Sequence, residues 1–223
     1  MSLIISEIII FWNNKEMGDT TINELIYLLG GLILFYILYT FFYDGTVNYF
    51  CAIDNKSYKI RRGPEAQERV NNLALIRLKL ETIVKALEND TEYNYYNSVK
   101  RLVKNWNTGI SIKEIGMLEN DAAYVIDKHN MSFCLRKSPS GGELESLNLL
   151  TYVAIHELAH VMSIETGHSD EFQQNFKFLL EYSKRLFFTN PLDGTTGPLY
   201  VTIDPETTDS AFCGVEISPG AIK

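Results

Sequence analysis

Residues 147–172 read "LNLLTYVAIHELAHVMSIETGHSDEF", and this stretch decides how the C-terminal half of the chain folds. The part before Gly167 is mostly apolar and contains no helix breaker, so it predicts one long buried helix that continues to about residue 166. Ser169 then stands where a helix N-cap is expected, and acidic residues occupy the next two positions, in a positively polarised first turn. The stretch therefore predicts two helices joined by a tight reversal.

Three of the four histidines in the chain fall inside this stretch. His156 and His160 are one helical turn apart, so their imidazoles project from the same face and can take adjacent corners of a zinc tetrahedron. Glu157 lies beside that face, where its carboxylate can take a proton from a water molecule without being a ligand. The HExxH spacing therefore predicts two zinc ligands and one general base.

A catalytic zinc site needs a third protein ligand and one open position. Because Gly167 ends the predicted helix and reverses the chain, we expect His168, the next residue, to fold back toward the metal as the third ligand. Asp170 and Glu171 are alternatives for this position, and so are Glu165 or a more distant residue. The residues favour His168 and leave the other candidates open.

The rest of the C-terminal region mixes helical and alternating patterns. Gly63 and Pro64 predict a helix start, and a second helix is expected over about residues 91–106. The pattern then alternates, which predicts three short strands, the last two ("AAYVID" and "MSFCLR") joined by a tight turn at residues 128–130. His129 in that turn is interpreted as an exposed residue. This order predicts an α+β fold, with a small mixed sheet packed on helices.

Residues 25–43 read "LIYLLGGLILFYILYTFFY" and carry no charge. A helix of this length spans about 29 Å, close to the hydrocarbon thickness of a bilayer, so the run predicts a single transmembrane helix. Four cations follow the run closely and Lys15 precedes it, so the positive-inside rule predicts an outside N-terminus and a cytosolic C-terminal domain. A virion or an internal membrane is a further location that this arrangement allows.

The net charge of −8 argues against a nucleic-acid partner, because a field of that sign repels phosphate. The cysteines, Cys51, Cys134 and Cys213, are isolated and form no CxxC pair, which predicts buried free thiols in a reducing compartment. The predicted organisation is an N-terminal segment at 1–24, a transmembrane helix at 25–43, a linker at 44–62 and one domain at 63–223.

"HELAH" followed by "GHSDEF" resembles the zincin clan of metallopeptidases, and within that clan the WLM and SprT types. Those families carry HExxH, a short spacer, a third histidine and an aromatic residue a few positions later. His156, Glu157, His160, His168 and Phe172 match that pattern residue by residue. The resemblance covers a minority of the chain, and it implies a zincin-like domain in which three histidines hold Zn²⁺ and Glu157 acts as the general base.

These patterns predict a membrane-anchored zinc endopeptidase that acts on a protein or peptide substrate and contacts the bilayer through residues 25–43. Zinc would activate a water molecule, and Glu157 would take its proton and return it to the leaving amine. The strand "MSFCLR" is interpreted as an edge strand along which the peptide lies. The alternative is a catalytically idle zincin-fold membrane protein with a structural or scaffolding role, for example in a viral particle or membrane. A zinc-stabilised binding module is a third interpretation, and it requires a fourth protein ligand.

Overall fold

The described chain is a mixed α+β protein with five helices and several small sheets. It divides into two compact units, Met1–Asp44 and Gly45–Lys223. The computed structural model describes residues 20–42, 45–116, 119, 121–138, 141–203, 211–213 and 215–216.

The first unit contains helix α1, Thr20–Phe42. No helix in the described part of the chain is long and apolar enough to cross a membrane. The prediction of a transmembrane helix over 25–43 is therefore wrong, and so is the fold class of a zincin-like domain behind such a helix. The predicted bilayer contact and the predicted orientation both rested on that span.

The second unit surrounds one central helix, α4, which packs against α2, α3, α5 and strand β4. Its helices are α2 Ala66–Asn89, α3 Asn97–Asn107, α4 Leu147–Met162 and α5 Asp170–Ser183. Its first strands are β1 Thr46–Cys51, β2 Lys56–Arg61, β3 Ser111–Glu114, β4 Ala123–Ile126 and β5 Asn130–Phe133. The later strands are β6 Arg136–Ser138, β7 Gly141–Leu144, β8 Phe187–Thr189, β9 Thr196–Pro198, β10 Ala211–Phe212 and β11 Val215–Glu216.

The residues expected to link the two parts of the chain form a structured hairpin. Strands β1 and β2 pair in antiparallel register, with Thr46 opposite Arg61 and Cys51 opposite Lys56. The side chain of Ile60 is fully buried in the core that α2 completes, so the alternating pattern has one face on that core. This hairpin belongs to the same compact unit as helices α2 to α5, and that unit begins at Gly45.

Strands β3, β5 and β4 form the three-stranded sheet nearest to α4, in that order. Strand β5 pairs in parallel with β3 and antiparallel with β4, so the sheet is mixed as the sequence predicts. The predicted edge strand "MSFCLR" is nevertheless at the centre of this sheet, because it contributes β5. The strand at the edge beside α4 is β4.

A buried ion pair joins α2 to this sheet. Nη1 of Arg69 lies 2.6 Å from Oε2 of Glu114, and both side chains are almost completely shielded from solvent. The same oxygen accepts a hydrogen bond of 2.7 Å from the backbone N–H of Arg61, and burial raises the pKa of the Glu114 carboxyl. A carboxylate placed in the core is stable only with such partners, so Glu114 fixes how the hairpin, α2 and β3 meet.

A disulfide bond joins Cys134, directly after β5, to Cys213, directly after β10. The prediction of free thiols is therefore wrong for these two cysteines, while Cys51 is confirmed as a buried free thiol. Two isolated cysteines separated by 79 positions leave no local pattern from which the pairing could be read. Since stable disulfides are typical of oxidising compartments, the cysteines no longer support a reducing one.

Two other local predictions differ from the structure. Helix α3 begins at Asn97 rather than near residue 91, because Asp90 ends α2 and its carboxylate then accepts the N–H of Glu92 in a turn. The glycine and serine residues of "KSPSGGELES", residues 137–146, predict a loop, but most of the hairpin of β6 and β7 lies in this stretch. The predicted N-cap at Ser169 is confirmed, since its hydroxyl accepts the N–H of Phe172 at 3.3 Å.

Candidate metal centre

Helix α4 carries the HExxH motif through the centre of the domain. Ser146 caps its first turn by accepting the N–H of Leu149 at 3.2 Å, and most of its side chains are buried. His156 and His160 project from one face of this helix, with ring centroids 5.1 Å apart. A helix that is fixed on nearly all sides holds both imidazoles at a constant separation.

The helix ends at Met162, about four residues earlier than the sequence predicts. The backbone carbonyls of its last turn find partners outside the helix. The Ser163 N–H and hydroxyl both donate to Ala159 O, and Asn105 donates to Val161 O at 3.0 Å. Because side chains satisfy these carbonyls, the chain can leave the helix before the glycine at which the sequence predicts the stop.

His168 returns to the helix face through a reversal at Gly167. The backbone of Gly167 has a φ of 84°, a left-handed conformation that glycine adopts at little cost. The ring of His168 lies 4.9 Å from that of His156 and 5.1 Å from that of His160, centroid to centroid. The structure thus brings together the three histidines that the sequence nominates.

The ring nitrogens of these histidines are spaced as metal ligands require. One nitrogen of each ring belongs to a group whose members all lie within 4.8 Å of one another. The Nε2 atoms of His156 and His168 are 3.0 Å apart. Tetrahedral ligands at the usual Zn–N distance are about 3.3 Å apart, so this spacing suits shared coordination. It also suits one hydrogen bond between two neutral rings, and metal titration separates the two cases.

Burial keeps two of the three rings neutral, which is the form that binds a metal. Burial, together with the neighbouring histidines, lowers the pKa of His156 to about 3. Burial is also the first cause that lowers the pKa of His160 to about 4, followed by His168 and Lys128. Both rings are therefore unprotonated near neutral pH, and a cation meets no charge on them.

Two phenylalanines of α5 pack against the histidine cluster. The ring of Phe172 is stacked on that of His160 at 4.2 Å and lies 4.8 Å from those of His156 and His168. The ring of Phe176 lies 5.1 Å from that of His156, centroid to centroid. These contacts hold the imidazoles of His156 and His160 at fixed angles.

Glu157 is buried next to the histidines and has an unpaired oxygen. Its Oε2 atom has no hydrogen-bond partner among the described residues, although only 3% of the residue is exposed. Burial alone raises the pKa of this carboxyl to about 8. A buried polar atom without a partner is costly in a native protein, so this oxygen can gain a hydrogen bond from a molecule bound beside it. Because Glu157 lines the same cavity as the histidines, it can meet a molecule held there.

The other candidates for the third ligand lie elsewhere. Glu171 pairs with Arg101 at 3.1 Å and accepts the N–H of Ile164, so its carboxylate is directed at the loop. Neither Asp170 nor Glu165 joins the group of ligand atoms, and among the described residues no fourth ligand joins it either. A zinc-stabilised binding module, which requires a fourth protein ligand, therefore gains no support here.

A cavity of about 330 Å³ opens in front of the cluster, between α4 and β4. Cys134 N donates to Ala122 O, so by the alternation of an antiparallel ladder the backbone groups of Ala123 and Val125 face away from β5. Tyr124 also lines the cavity, but its hydroxyl donates to Glu119 at 2.5 Å. His129, at the adjacent turn, does not line the cavity. The residues of this wall, from the edge strand and the turn after it, are Ala123, Tyr124, Val125, Asp127 and Lys128.

Comparison with known proteins finds viral relatives. No model of a protein family matches the chain, and no solved structure matches it. The chain is 29% identical to an uncharacterized protein of Acanthamoeba polyphaga mimivirus over 177 residues, which cover 77% of this chain and 82% of that protein. It is 35% identical over 74 residues to an uncharacterized protein of Invertebrate iridescent virus 6, covering 33% of this chain and 42% of the relative. A third relative, from Invertebrate iridescent virus 3, is 33% identical over 67 residues, covering 30% of this chain and 42% of that protein.

Proposed function

We propose that this protein is a zinc-dependent endopeptidase. The observation that carries the proposal is the convergence of three histidine nitrogens within 4.8 Å beside a buried carboxylate whose Oε2 atom has no partner in the described chain. Ligand sets of three protein groups leave one coordination position open, which distinguishes catalytic from structural zinc sites. His156, His160 and His168 are the residues that would hold the metal.

The donor set fits zinc by its chemistry. Neutral imidazoles suit zinc among the common divalent ions, and burial keeps His156 and His160 in that state at neutral pH. A zinc ion in such a site supplies Lewis-acid chemistry, which polarises a carbonyl group and makes a water molecule acidic near neutral pH. The side chains and backbone of the domain transfer the proton and bind the peptide.

Glu157 is the group that moves the proton. Its buried carboxyl has a pKa raised to about 8, which a nearby cation would lower, so the two protonation states are close in energy at working pH. The carboxylate takes a proton from the attacking water and then donates it to the departing amine nitrogen. A peptide carbonyl carbon thus gains a bond to the water oxygen as its bond to nitrogen breaks.

Strand β4 supplies the surface on which the peptide lies. The outward N–H and C=O groups of Ala123 and Val125 can pair with an extended chain, adding a strand at the edge of the sheet. Such pairing places main-chain carbonyls, rather than particular side chains, in front of the histidines. An edge of this kind favours a peptide substrate over a small hydrophilic ester or amide.

The test is a pair of glutamine variants measured for zinc and for cleavage. Glu157→Gln keeps the volume of the side chain and removes the base, so zinc content stays the same while cleavage of a peptide library falls by about 10²–10⁴-fold. Glu88→Gln, an exposed residue near the end of α2 that does not line the cavity, is the matched control and keeps full activity. Equal cleavage by the wild type and Glu157→Gln would show that the cleavage arises elsewhere. A wild type that binds zinc and cleaves nothing in the library would favour the scaffolding role.

A further inference from the structure

Lys128 occupies an unusual backbone position at the edge of the cavity. It lies in the turn between β4 and β5, which the bond from His129 N to Ile126 O closes at 3.0 Å. Asp127 and Lys128 have φ angles of 53° and 61°, in the left-handed region. Glycine or asparagine suits such a turn, whereas a long side chain rarely adopts it. A lysine at this position indicates that a contact of its side chain offsets the cost of the left-handed backbone.

The ammonium group of Lys128 bridges one carbonyl in the last turn of α4 and one carbonyl in the loop that follows it. Its Nζ atom donates to His160 O at 2.6 Å and to Glu165 O at 3.1 Å. The first carbonyl is in the last turn of the helix, where intrahelical donors are missing and a cation complements the negative end of the dipole. The second belongs to the loop, three positions before His168. The side chain of Lys128 therefore connects the backbone of His160 to the loop that carries His168.

The loop has a second external support close to the first. The backbone N–H of Ile164 donates to Oε2 of Glu171 at 2.8 Å, and Arg101 holds the other carboxylate oxygen through two bonds of 3.1 and 3.2 Å. Both supports lie in the first half of the loop, and the reversal at Gly167 completes it. His168 is the exposed member of the cluster, so its position depends on the path of this loop rather than on core packing.

We propose that Lys128 is a positioning residue for the metal centre, which holds the loop of residues 163–168 against the end of α4 so that His168 meets His156 and His160. The inference rests on the proposed function, since it assumes that the three histidines share a metal ion. Removal of the ammonium leaves His156 and His160 on their rigid helix but releases the loop. The third ligand must then be ordered at the moment of metal binding, which weakens affinity.

Zinc affinity, measured by competition with a chromophoric chelator, tests this role without reference to activity. Lys128→Met removes the ammonium and keeps most of the side chain, and we expect zinc to bind about 10–100-fold more weakly, the usual effect of losing a group that orients ligands. Lys85→Met is the matched control, because Lys85 pairs with Glu81 on the exposed face of α2. We expect the control to bind zinc within about twofold of the wild type.

Lys128→Asn distinguishes the loss of the ammonium contacts from a folding defect. Asparagine suits the left-handed backbone and cannot reach the two carbonyls, so this variant is expected to fold like the wild type and to share the weak zinc binding. Wild-type affinity in Lys128→Asn would overturn the proposed role.

A double-mutant cycle with His168→Ala separates positioning from a general effect of charge. In the His168→Ala background, Lys128→Met should change zinc affinity by less than about twofold, because the ligand that it positions is already absent. A full additional loss in that background would also overturn the role. A wild type that takes up no zinc would instead overturn the proposed function itself.

Discussion

Removing the disulfide bond should destabilise the domain by an amount that its loop length determines. Cys134 and Cys213 are 79 positions apart, and the chain-entropy relation for a loop of that size gives about 4.5 kcal/mol at 25 °C. Measured values for native disulfides are typically about 2–5 kcal/mol, so we expect the double variant Cys134→Ala/Cys213→Ala to lose an amount in that range. Alanine is preferred to serine because both positions are buried, and a hydroxyl there would add a desolvation cost.

Urea unfolding of metal-free protein, followed by circular dichroism with and without a reductant, measures this loss. Reductant should lower the wild-type midpoint toward that of the double variant and leave the double variant unchanged. Cys51→Ala is the control, because this buried thiol is free and its removal should leave the response to reductant intact. If reductant does not move the wild-type midpoint, or if native wild type has three thiols that react on unfolding without reduction, the disulfide assignment is refuted.

Three further outcomes follow from the geometry. Glu114→Gln, measured by urea unfolding, should cost about 3–5 kcal/mol because Arg69 is left charged and buried, and a loss below 1 kcal/mol would contradict that assignment. Thermal unfolding of metal-free protein, measured at several pH values, should show that the wild type loses stability relative to Glu157→Gln as the pH rises from about 4.5 through 8. The reason is that the Glu157 carboxyl keeps its proton in the folded protein and releases it in the unfolded chain. Parallel pH profiles for the two proteins would argue against the buried carboxyl. Gly167→Ala should lower the free energy of unfolding by about 1 kcal/mol and weaken zinc binding, because a Cβ there meets open space but the backbone φ is left-handed. Gly197→Ala is the control, and it should change neither quantity because Gly197 does not have that conformation. Equal effects of the two substitutions would contradict the reversal at Gly167.

The histidine cluster was predictable because its signal is local. Four-residue spacing places His156 and His160 on one face of any helix, and a glycine before His168 is a sufficient signal for a reversal. The Ser169 cap is local for the same reason. The sequence also gives a candidate base at Glu157, whose burial and unpaired oxygen become visible only in the folded domain.

What the sequence missed depends on distant partners. The end of α4 is set by Lys128 and Asn105, which come from other parts of the chain, so helical periodicity could not locate it. The pairing of Cys134 with Cys213 and the order of strands in the central sheet are non-local in the same way. Strand alternation predicted β5 correctly, but which strand lies at an edge depends on pairing that alternation does not encode. The sequence does not indicate the positive φ of Lys128, because lysine is not a residue that marks such a turn.

The most direct measurement is anomalous X-ray diffraction at the zinc absorption edge from crystals of zinc-loaded wild-type protein. We expect one anomalous peak at the cavity, with a nitrogen of His156, His160 and His168 each at about 2.0–2.1 Å and the remaining position open to solvent. A cavity without a peak at saturating zinc, or a peak whose ligands exclude any of these three histidines, would contradict the account of this site.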